Sequence, residues 1–474
     1  MSIDTTHLSA LKDLAGDKAW SDDQDVIAPH VTEPRGKFSG KTPLILFPGS
    51  VTKLAKIIAY ANQNNIKIVP QGGNTGLVGG SIPDLSGNEI LINMKRMNKV
   101  REIDALNHTI TVEAGMLLSE VHSNADKIKC QFPMHIASEG SAMIGGNIST
   151  NAGGINVLHF GVMRDLVLGL EVVLPSGDIW NGLTGLRKDN TGYDLKQLFI
   201  GGEGTLGIIT AATLKLFPEA KQKNTAFVAI PDTEAAIKLL ALAREVSGDS
   251  LIAFEILPRA GLEITAKHMP GCRDPLENKY DWYILLECAT SMQSDLLNLE
   301  EVMSKILEQA MDQELVLDGV VAKNISEART LWNLREFMSE AQKFEGGSIK
   351  HDISVPVSKI PEFLRVATKV VEDAVPGIRP IPFGHIGDGN IHFNLTQPKG
   401  MDKQEYLAKW EDINHTVHEI VTSLGGSISA EHGIGILKAA ELEHFKPEID
   451  LKVMRDIKKA LDPNNIMNPG RVLR

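Results

Sequence analysis

Gly202–Leu214 reads GEGTLGIITAATL, and its reading decides the fold. The first six residues match GxGxxG, the glycine fingerprint of dinucleotide-binding turns. That fingerprint works where it opens a helix, whose first N–H groups then meet a pyrophosphate. Here Ile208-Ile209-Thr210-Ala211-Ala212-Thr213-Leu214 follows, a β-branched run that reads as a strand over 208–217. The stretch is therefore no Rossmann turn, and the other glycine clusters need a different explanation.

Two such clusters lie upstream. Pro70–Gly80, PQGGNTGLVGG, has five glycines in eleven residues and follows a short apolar strand at 66–70. Glycine at this density lets backbone N–H groups converge on an anion such as a diphosphate. Ser138–Gly154, SEGSAMIGGNISTNAGG, is small, uncharged for most of its length and rich in hydrogen-bonding groups. Such a stretch suits a segment lying along a large polar ligand. Around these clusters the pattern alternates. Leu54, Ile57, Ile58 and Ala61 mark a helix from Thr52, and 90–94, 100–103, 109–114, 166–174 and 177–181 read as strands. The first forty residues are polar, with a helical segment near Leu8–Leu14. Gly36–Thr42, GKFSGKT, is one residue short of a P-loop, and a strand follows where a P-loop needs a helix.

After Pro218 glycine thins and strands alternate with helices, as in an α+β domain with an antiparallel sheet. Strands are expected at 225–230, 282–287 and 349–355. Helices are expected at 234–246, 296–309, 329–344, 359–371, 410–424 and 450–461. Within this half stands Phe383–Asn394, FGHIGDGNIHFN. Gly387–Asn390 is a dense turn signal between apolar runs, so His385 is expected to pair with His392 across a hairpin. Paired residues share a face with Cβ atoms about 5 Å apart, which suits two imidazoles for one metal ion. Asn394 points the same way, and Ile391 and Phe393 the other, into a core. Ser429–Gly433, SAEHG, offers Glu431 as a third ligand and His432 as a neighbouring base. Two histidines and a carboxylate favour Zn²⁺, with Mn²⁺ or Fe²⁺ as competitors, and leave positions open for a substrate. Arg335 and Ser339 are one turn apart on the 329–344 helix, and Lys350 alternates away from Ile349 and Ile353. The two cations could hold a carboxylate.

The chain of 474 residues is too long for one core, so two or three domains are expected. Its net charge is −12 and no basic run occurs, which argues against nucleic acid and anionic membrane surfaces. No apolar run reaches the roughly 18 residues of a membrane span. The beginning of the chain, acidic and polar, lacks the pattern of a secretory signal. Cys130, Cys272 and Cys288 are widely spaced and form no metal or disulfide framework. A cytoplasmic setting is the simplest expectation.

From about Gly40 onward these motifs, in this order, resemble the FAD-linked 2-hydroxy-acid dehydrogenases of the vanillyl-alcohol-oxidase/p-cresol-methylhydroxylase fold, and most of all their D-2-hydroxyglutarate-oxidising members. PQGGNTG, the Ser138–Gly154 cluster, DLKQLFIGGEGTLGIIT, GHIGDGNIH and AEHGIG carry the resemblance. It implies an α+β chain with a two-subdomain FAD-binding domain at 1–218. A substrate- and metal-binding domain with an antiparallel sheet follows at 219–430, then a C-terminal helical segment at 431–474 that packs toward the flavin. It implies FAD held by Pro70, Gln71, Gly72, Gly73, Asn74, Thr75 and Gly76, and by Ser138, Glu139, Gly140, Gly145, Gly146, Ser149, Asn151 and Gly153. Glu203, Gly204, Gly207, Ile209 and Asn468 complete that set. His385, His392 and Glu431 would hold the metal. His432 would be the base and a substrate contact, and Arg335, Ser339, Lys350 and Asn394 would bind substrate. Family members with covalent flavin carry His where Asn74 stands, so a non-covalent FAD is implied. Ser339 stands where Thr is expected and keeps the hydroxyl. The reaction implied is oxidation of D-2-hydroxyglutarate to 2-oxoglutarate by hydride transfer to flavin N5. Electrons would pass on to an electron-transfer flavoprotein or quinone, and a homodimer is possible. A D-lactate or glycolate dehydrogenase is the near alternative, and a flavin- or metal-binding protein without turnover the remote one.

Overall fold

The computed structural model describes residues 3–474. The chain divides into two compact units. One runs to Gly154, resumes over Gly161–Glu219 and takes in Glu431–Arg474. The other consists of Ile155–Phe160 and Ala220–Ala430. The closing segment from Glu431 thus clusters with the first unit, not with the residues that precede it.

The strands of the first unit are, in chain order, β1 (Trp20–Ser21), β2 (Ile45–Leu46), β3 (Lys67–Gln71), β4 (Glu89–Asn93), β5 (Val100–Asp104), β6 (Thr109–Glu113), β7 (Cys130–Gln131), β8 (Val167–Val173), β9 (Ile179–Gly182), β10 (Ile208–Lys215) and β11 (Phe217–Pro218). A four-stranded sheet has the order β1-β2-β4-β3, with β2 and β3 parallel to β4. Parallel strands need a crossover, and helix Val51–Gln63 carries the chain from β2 to β3, on the two sides of β4. Ser50 caps the helix by accepting from Lys53 N, and Leu54, Ile57, Ile58 and Ala61 are buried on its inner stripe. A five-stranded antiparallel sheet has the order β5-β6-β10-β8-β9. The residues after the GxGxxG match form its central strand, β10, as the β-branched run requires. The C-terminal residues return to the edge of β3, where Ile68 N donates to Ile466 O and Asn468 N to Ile68 O, both at 2.8 Å. Arg471 locks them in place by a buried two-point pair with Glu89, at 2.5 and 2.8 Å.

The second unit holds β12 (Gln222–Ile230), β13 (Leu251–Pro258), β14 (Trp282–Thr290), β15 (Asp318–Val321), β16 (Ser348–Ser354), β17 (Arg379–Phe383) and β18 (Asn390–Thr396). An antiparallel sheet β13-β14-β12-β15 and a three-stranded sheet β16-β18-β17 result. Ile349, Ile353, Ile391, Phe393 and Leu395 join helices Thr233–Ser247, Leu299–Asp312, Ile360–Ala374 and Trp410–Ser423 in one core. A short bridge ties the sheets together: Ile256 N donates to Gly384 O at 2.9 Å and Gly384 N to Ile256 O at 3.1 Å. Cys130, Cys272 and Cys288 are buried free thiols. Among the described residues no helix is long and apolar enough to cross a membrane.

Two expectations are corrected. The hairpin register is Phe383↔His392, two residues off the expected His385↔His392 pair. Gly384 (φ 136°) takes the chain out of the strand, so His385 stands in the loop and Ile386 is buried. The expected helix 329–344 is three pieces, Ile325–Glu336, Met338–Ala341 and a 3₁₀ turn Gln342–Glu345. The break falls at Phe337, whose ψ of −3° is too flat for continued α-helix.

Candidate active site

In the first unit the glycine-rich stretches converge on a cavity of about 560 Å³, a size ordinary for ligand and cofactor sites. Pro70, Gln71, Gly72, Gly73, Asn74, Thr75 and Gly76 form one wall. Ser138, Gly145, Gly146, Ser149 and Gly153 form a second, and Glu203, Gly204, Gly207 and Ile209 a third. Glu431 and His432 reach the same cavity from the C-terminal segment.

The glycines do two different jobs. A Cβ on Gly73 would lie 1.9 Å from the carbonyl oxygen of Ser141, so only glycine lets the first two walls touch. Gly204 has φ 72°, and its Cβ would meet the Pro70 ring at 2.4 Å. Gly76 and Gly146, by contrast, face open space. A side chain there would fill space that the glycine-rich cavity wall leaves open, which fits a bulky phosphate-bearing cofactor. The Asn74 amide turns outward and donates to Thr32 O at 2.9 Å and Pro29 O at 3.3 Å. It has no nucleophilic atom.

Four of the expected cofactor residues lie off the cavity wall. Asn151 accepts from Arg164 N at 2.9 Å. Asn468 donates to Gly80 O and Glu203 O at 2.9 and 2.8 Å, bracing two walls from behind. Gly140 faces open space, and Glu139 faces His135. Glu203 is buried at positive φ, and its carboxylate accepts from Ile434 N at 2.7 Å and Gly435 N at 2.8 Å. It thereby fixes the two residues that follow His432-Gly433. Burial pushes its carboxyl up to about 7, against the pull of these two N–H groups and of Lys438.

The second unit carries its own polar cluster. One face of the β16-β18-β17 sheet is the core already described. The other presents Lys350 opposite Asn394, Asp352 opposite His392, and Phe383 beside His392. The Arg335 guanidinium lies 4.8 Å above the Phe383 ring. Its Nε donates to Glu255 Oε2 at 2.5 Å, and an Nη2 hydrogen faces His385 Nε2 at 3.3 Å. His385 Nδ1 donates to Glu255 Oε1 at 2.6 Å. Glu255 is wholly buried. Burial alone would push its carboxyl up, but the His385 and Arg335 charges outweigh it and hold it at about 2. Lys350 Nζ donates to Ser339 Oγ at 2.7 Å and Ser339 O at 3.2 Å. Asn394 donates to the buried Gln342 at 2.7 Å. The broken helix therefore still delivers Arg335 and Ser339 to this face, by separate turns.

The His385 and His392 ring centroids are 5.5 Å apart at 74°. With Nδ1–H committed to Glu255, Nε2 is the nitrogen that carries the lone pair in the neutral ring, the form that binds a metal. A carboxylate behind an imidazole is the arrangement that orients metal-binding histidines. The donor chemistry thus fits a divalent ion, which would take the place of the Arg335 N–H at Nε2. Glu255 escaped the sequence reading. Its signal was a lone carboxylate inside LIAFEILP, a strand buried at every position.

Comparisons with known proteins name two domains, the second of which includes the closing segment. Residues 42–182 match the family model "FAD binding domain", and 219–472 match "FAD linked oxidases, C-terminal domain". A probable mitochondrial D-2-hydroxyglutarate dehydrogenase of Oryza sativa subsp. indica is 39% identical over 473 residues, 99% of this chain and 82% of the relative. A D-2-hydroxyglutarate–pyruvate transhydrogenase of Saccharomyces cerevisiae is 37% identical, covering 92% and 88%. Among solved structures, p-cresol methylhydroxylase with substrate bound superposes with a TM-score of 0.75 at 16% identity, over 99% and 97% of the two chains. That likeness is one of fold.

Proposed function

The chain belongs to the FAD-linked 2-hydroxy-acid dehydrogenase family, and from this premise we propose that it oxidises D-2-hydroxyglutarate to 2-oxoglutarate. It is an FAD-dependent oxidoreductase, and what the reading adds is the substrate and the division of labour among its residues. Bound FAD supplies the hydride acceptor at N5, and a divalent ion, Zn²⁺ foremost, supplies Lewis acidity. The glycine-lined cavity of the first unit would hold the flavin without a covalent link, since Asn74 offers none. His385, His392 and Glu431 would hold the ion, with Glu255 fixing His385 by its Nδ1–H bond. His432 takes the proton of the 2-hydroxyl as general base. Asn394 orients the 2-hydroxy-acid end. Arg335 and Lys350 hold the distal carboxylate, with Ser339 positioning Lys350. A separate acceptor, an electron-transfer flavoprotein or a quinone, closes the cycle.

The observation that carries the reading is the polar face of the three-stranded sheet. There Lys350, Asn394 and His392 project together, with Asp352 opposite His392, from the face of the sheet that looks away from the apolar core, and Arg335 is held over Phe383. A face so built matches a ligand with an acidic group at each end. The test is anaerobic mixing of the flavin-loaded protein with D-2-hydroxyglutarate, D-malate, D-lactate and glycolate. Hydroxyglutarate should bleach the flavin's visible absorbance fastest. Faster bleaching by lactate or glycolate would assign the enzyme to the monocarboxylate branch, and no bleaching by any of them would refute the reading.

A further inference from the structure

Away from both clusters, His122, His135 and Glu139 gather at the surface of the first unit. His122 projects from helix Leu118–Asp126, and the other two stand in the loop after β7. His122 Nε2 is 2.9 Å from Met134 O. Only an N–H can meet a carbonyl, so in the neutral ring the hydrogen is on Nε2 and the lone pair on Nδ1. That lone pair faces Glu139 Oε2 at 3.8 Å. His135 Nδ1 approaches the same oxygen at 3.3 Å, and the two rings lie side by side, centroids 4.6 Å apart.

One donor atom from each residue falls within 4.8 Å of the other two. Around a tetrahedral zinc, bonds of about 2.0–2.2 Å put neighbouring ligand atoms roughly 3.4 Å apart. The observed spacings bracket that value. An acceptor lone pair facing a carboxylate calls for a positive charge between them, which a metal ion or a ring proton supplies. The backbone carbonyl behind His122 fixes the tautomer that a metal requires. We propose that these three residues form a transition-metal site, separate from the ion assigned to His385 and His392. Two imidazoles and one carboxylate select Zn²⁺, Co²⁺, Ni²⁺ or Cu²⁺ over Mg²⁺ and Ca²⁺.

The site has a consequence for the cofactor. The three residues between His135 and Glu139 are Ile136, Ala137 and Ser138, and all three line the flavin-sized cavity. Helix Leu118–Asp126 already bonds this loop through Ser119 N and Glu139 O at 3.2 Å. An ion joining His122 to His135 and Glu139 would fasten that wall to the helix and slow flavin exchange.

The probe is Co²⁺, added to chelator-stripped, flavin-loaded His385→Ala protein, with His392→Ala as a second background. Uptake is counted by elemental analysis and followed by the ligand-field absorption of the ion. Each background should bind one Co²⁺ per chain, and adding His122→Gln or Glu139→Gln should abolish that uptake. Co²⁺ should slow flavin dissociation severalfold where His122 is present and leave it unchanged where it is replaced. No uptake, or uptake insensitive to both replacements, overturns the site and leaves an ion pair of His135 with Glu139.

Discussion

His385 Nδ1 lies 2.6 Å from Glu255 Oε1, across 130 residues of chain. The bridge between Ile256 and Gly384 makes the meeting unavoidable, because it sets their neighbours Glu255 and His385 side by side. Glu255 also neutralises Arg335, so the buried group is a carboxylate shared by a guanidinium and an imidazole.

Glu255→Gln keeps the shape and removes the charge. It leaves Arg335 buried without its anion, which costs about 3–5 kcal/mol when one partner of a buried pair is lost. It also weakens the acceptor that orients His385, worth roughly ten- to a hundredfold in metal affinity or activity. Thermal unfolding and metal content should both fall. Because the Glu255 carboxyl is held at about 2, its stabilisation is complete above the unfolded value of about 4.3 and is lost as pH falls toward 2. A variant with unchanged unfolding temperature and metal content would mean that the triad is ornamental.

Glu203 has the opposite sign. Its folded carboxyl sits at about 7, above the unfolded value of about 4.3, so the folded state prefers it protonated. That contribution is whole below pH 4 and is lost as pH rises through 7. Glu203→Gln removes the titration and sets an amide N–H₂ toward Ile434 N or Gly435 N, at a local cost of about 1–3 kcal/mol. The wild type should therefore lead the variant most at pH 5, with the gap narrowing by pH 8. Melting curves across that range decide it, and a gap that widens with pH would reverse the assignment.

Flavin binding should discriminate among glycines that look alike in the sequence. Gly73→Ala drives a Cβ into the Ser141 carbonyl, whereas Gly76→Ala points into open cavity. The first should lose both flavin and stability. The second should stay folded and bind flavin more weakly. Acid precipitation of the wild type should leave yellow supernatant and colourless pellet. Flavin retained in the pellet would show a covalent link that Asn74 cannot make.

Much of this was legible from residue patterns alone. The strand after Gly207 followed from β-branching, and the buried stripe of helix Val51–Gln63 from its period. The core anchoring of Ile391 and Phe393 followed from alternation once the hairpin was placed. What escaped was set by long-range geometry. Local turn signals do not reveal that Gly384 will be taken by a bridge to Ile256, and the partner of His392 is accordingly two residues earlier. Nor does the apolar stripe 331-334-338 reveal the break at Phe337, since both pieces bury their share. Glu255 is visible only when its partners are, because a lone carboxylate in an apolar strand declares no direction of contact.

The structure also changes how substrate choice is to be tested. Read from sequence, Arg335 and Lys350 are two cations for one carboxylate, the first a bidentate donor and the second a point charge. In the fold they are not equivalent. Arg335 spends Nε on Glu255, the carboxylate that also holds His385 Nδ1, so its charge is balanced and it braces the histidine through Glu255. Lys350 is positioned by the Ser339 hydroxyl and carbonyl, on the strand opposite Asn394. Replacing Arg335 by Ala should therefore harm every 2-hydroxy acid, since it disturbs His385 as well as the distal end. Lys350→Met keeps the aliphatic stem and removes only the ammonium. A charge-assisted contact is worth roughly 1.5–3 kcal/mol, so this variant should lose about ten- to a hundredfold in kcat/KM on D-2-hydroxyglutarate. On D-lactate, which has no distal carboxylate, the loss should be less than about threefold, within the error of non-additive effects. Ser339→Ala should reproduce the pattern more weakly, and Ser339→Thr should be close to wild type. The comparison to make is the ratio of kcat/KM for the two substrates in wild type, Lys350→Met and Arg335→Ala. Equal losses on both substrates in Lys350→Met would place that ammonium at the common 2-hydroxy-acid end. The distal clamp would then have to be sought elsewhere.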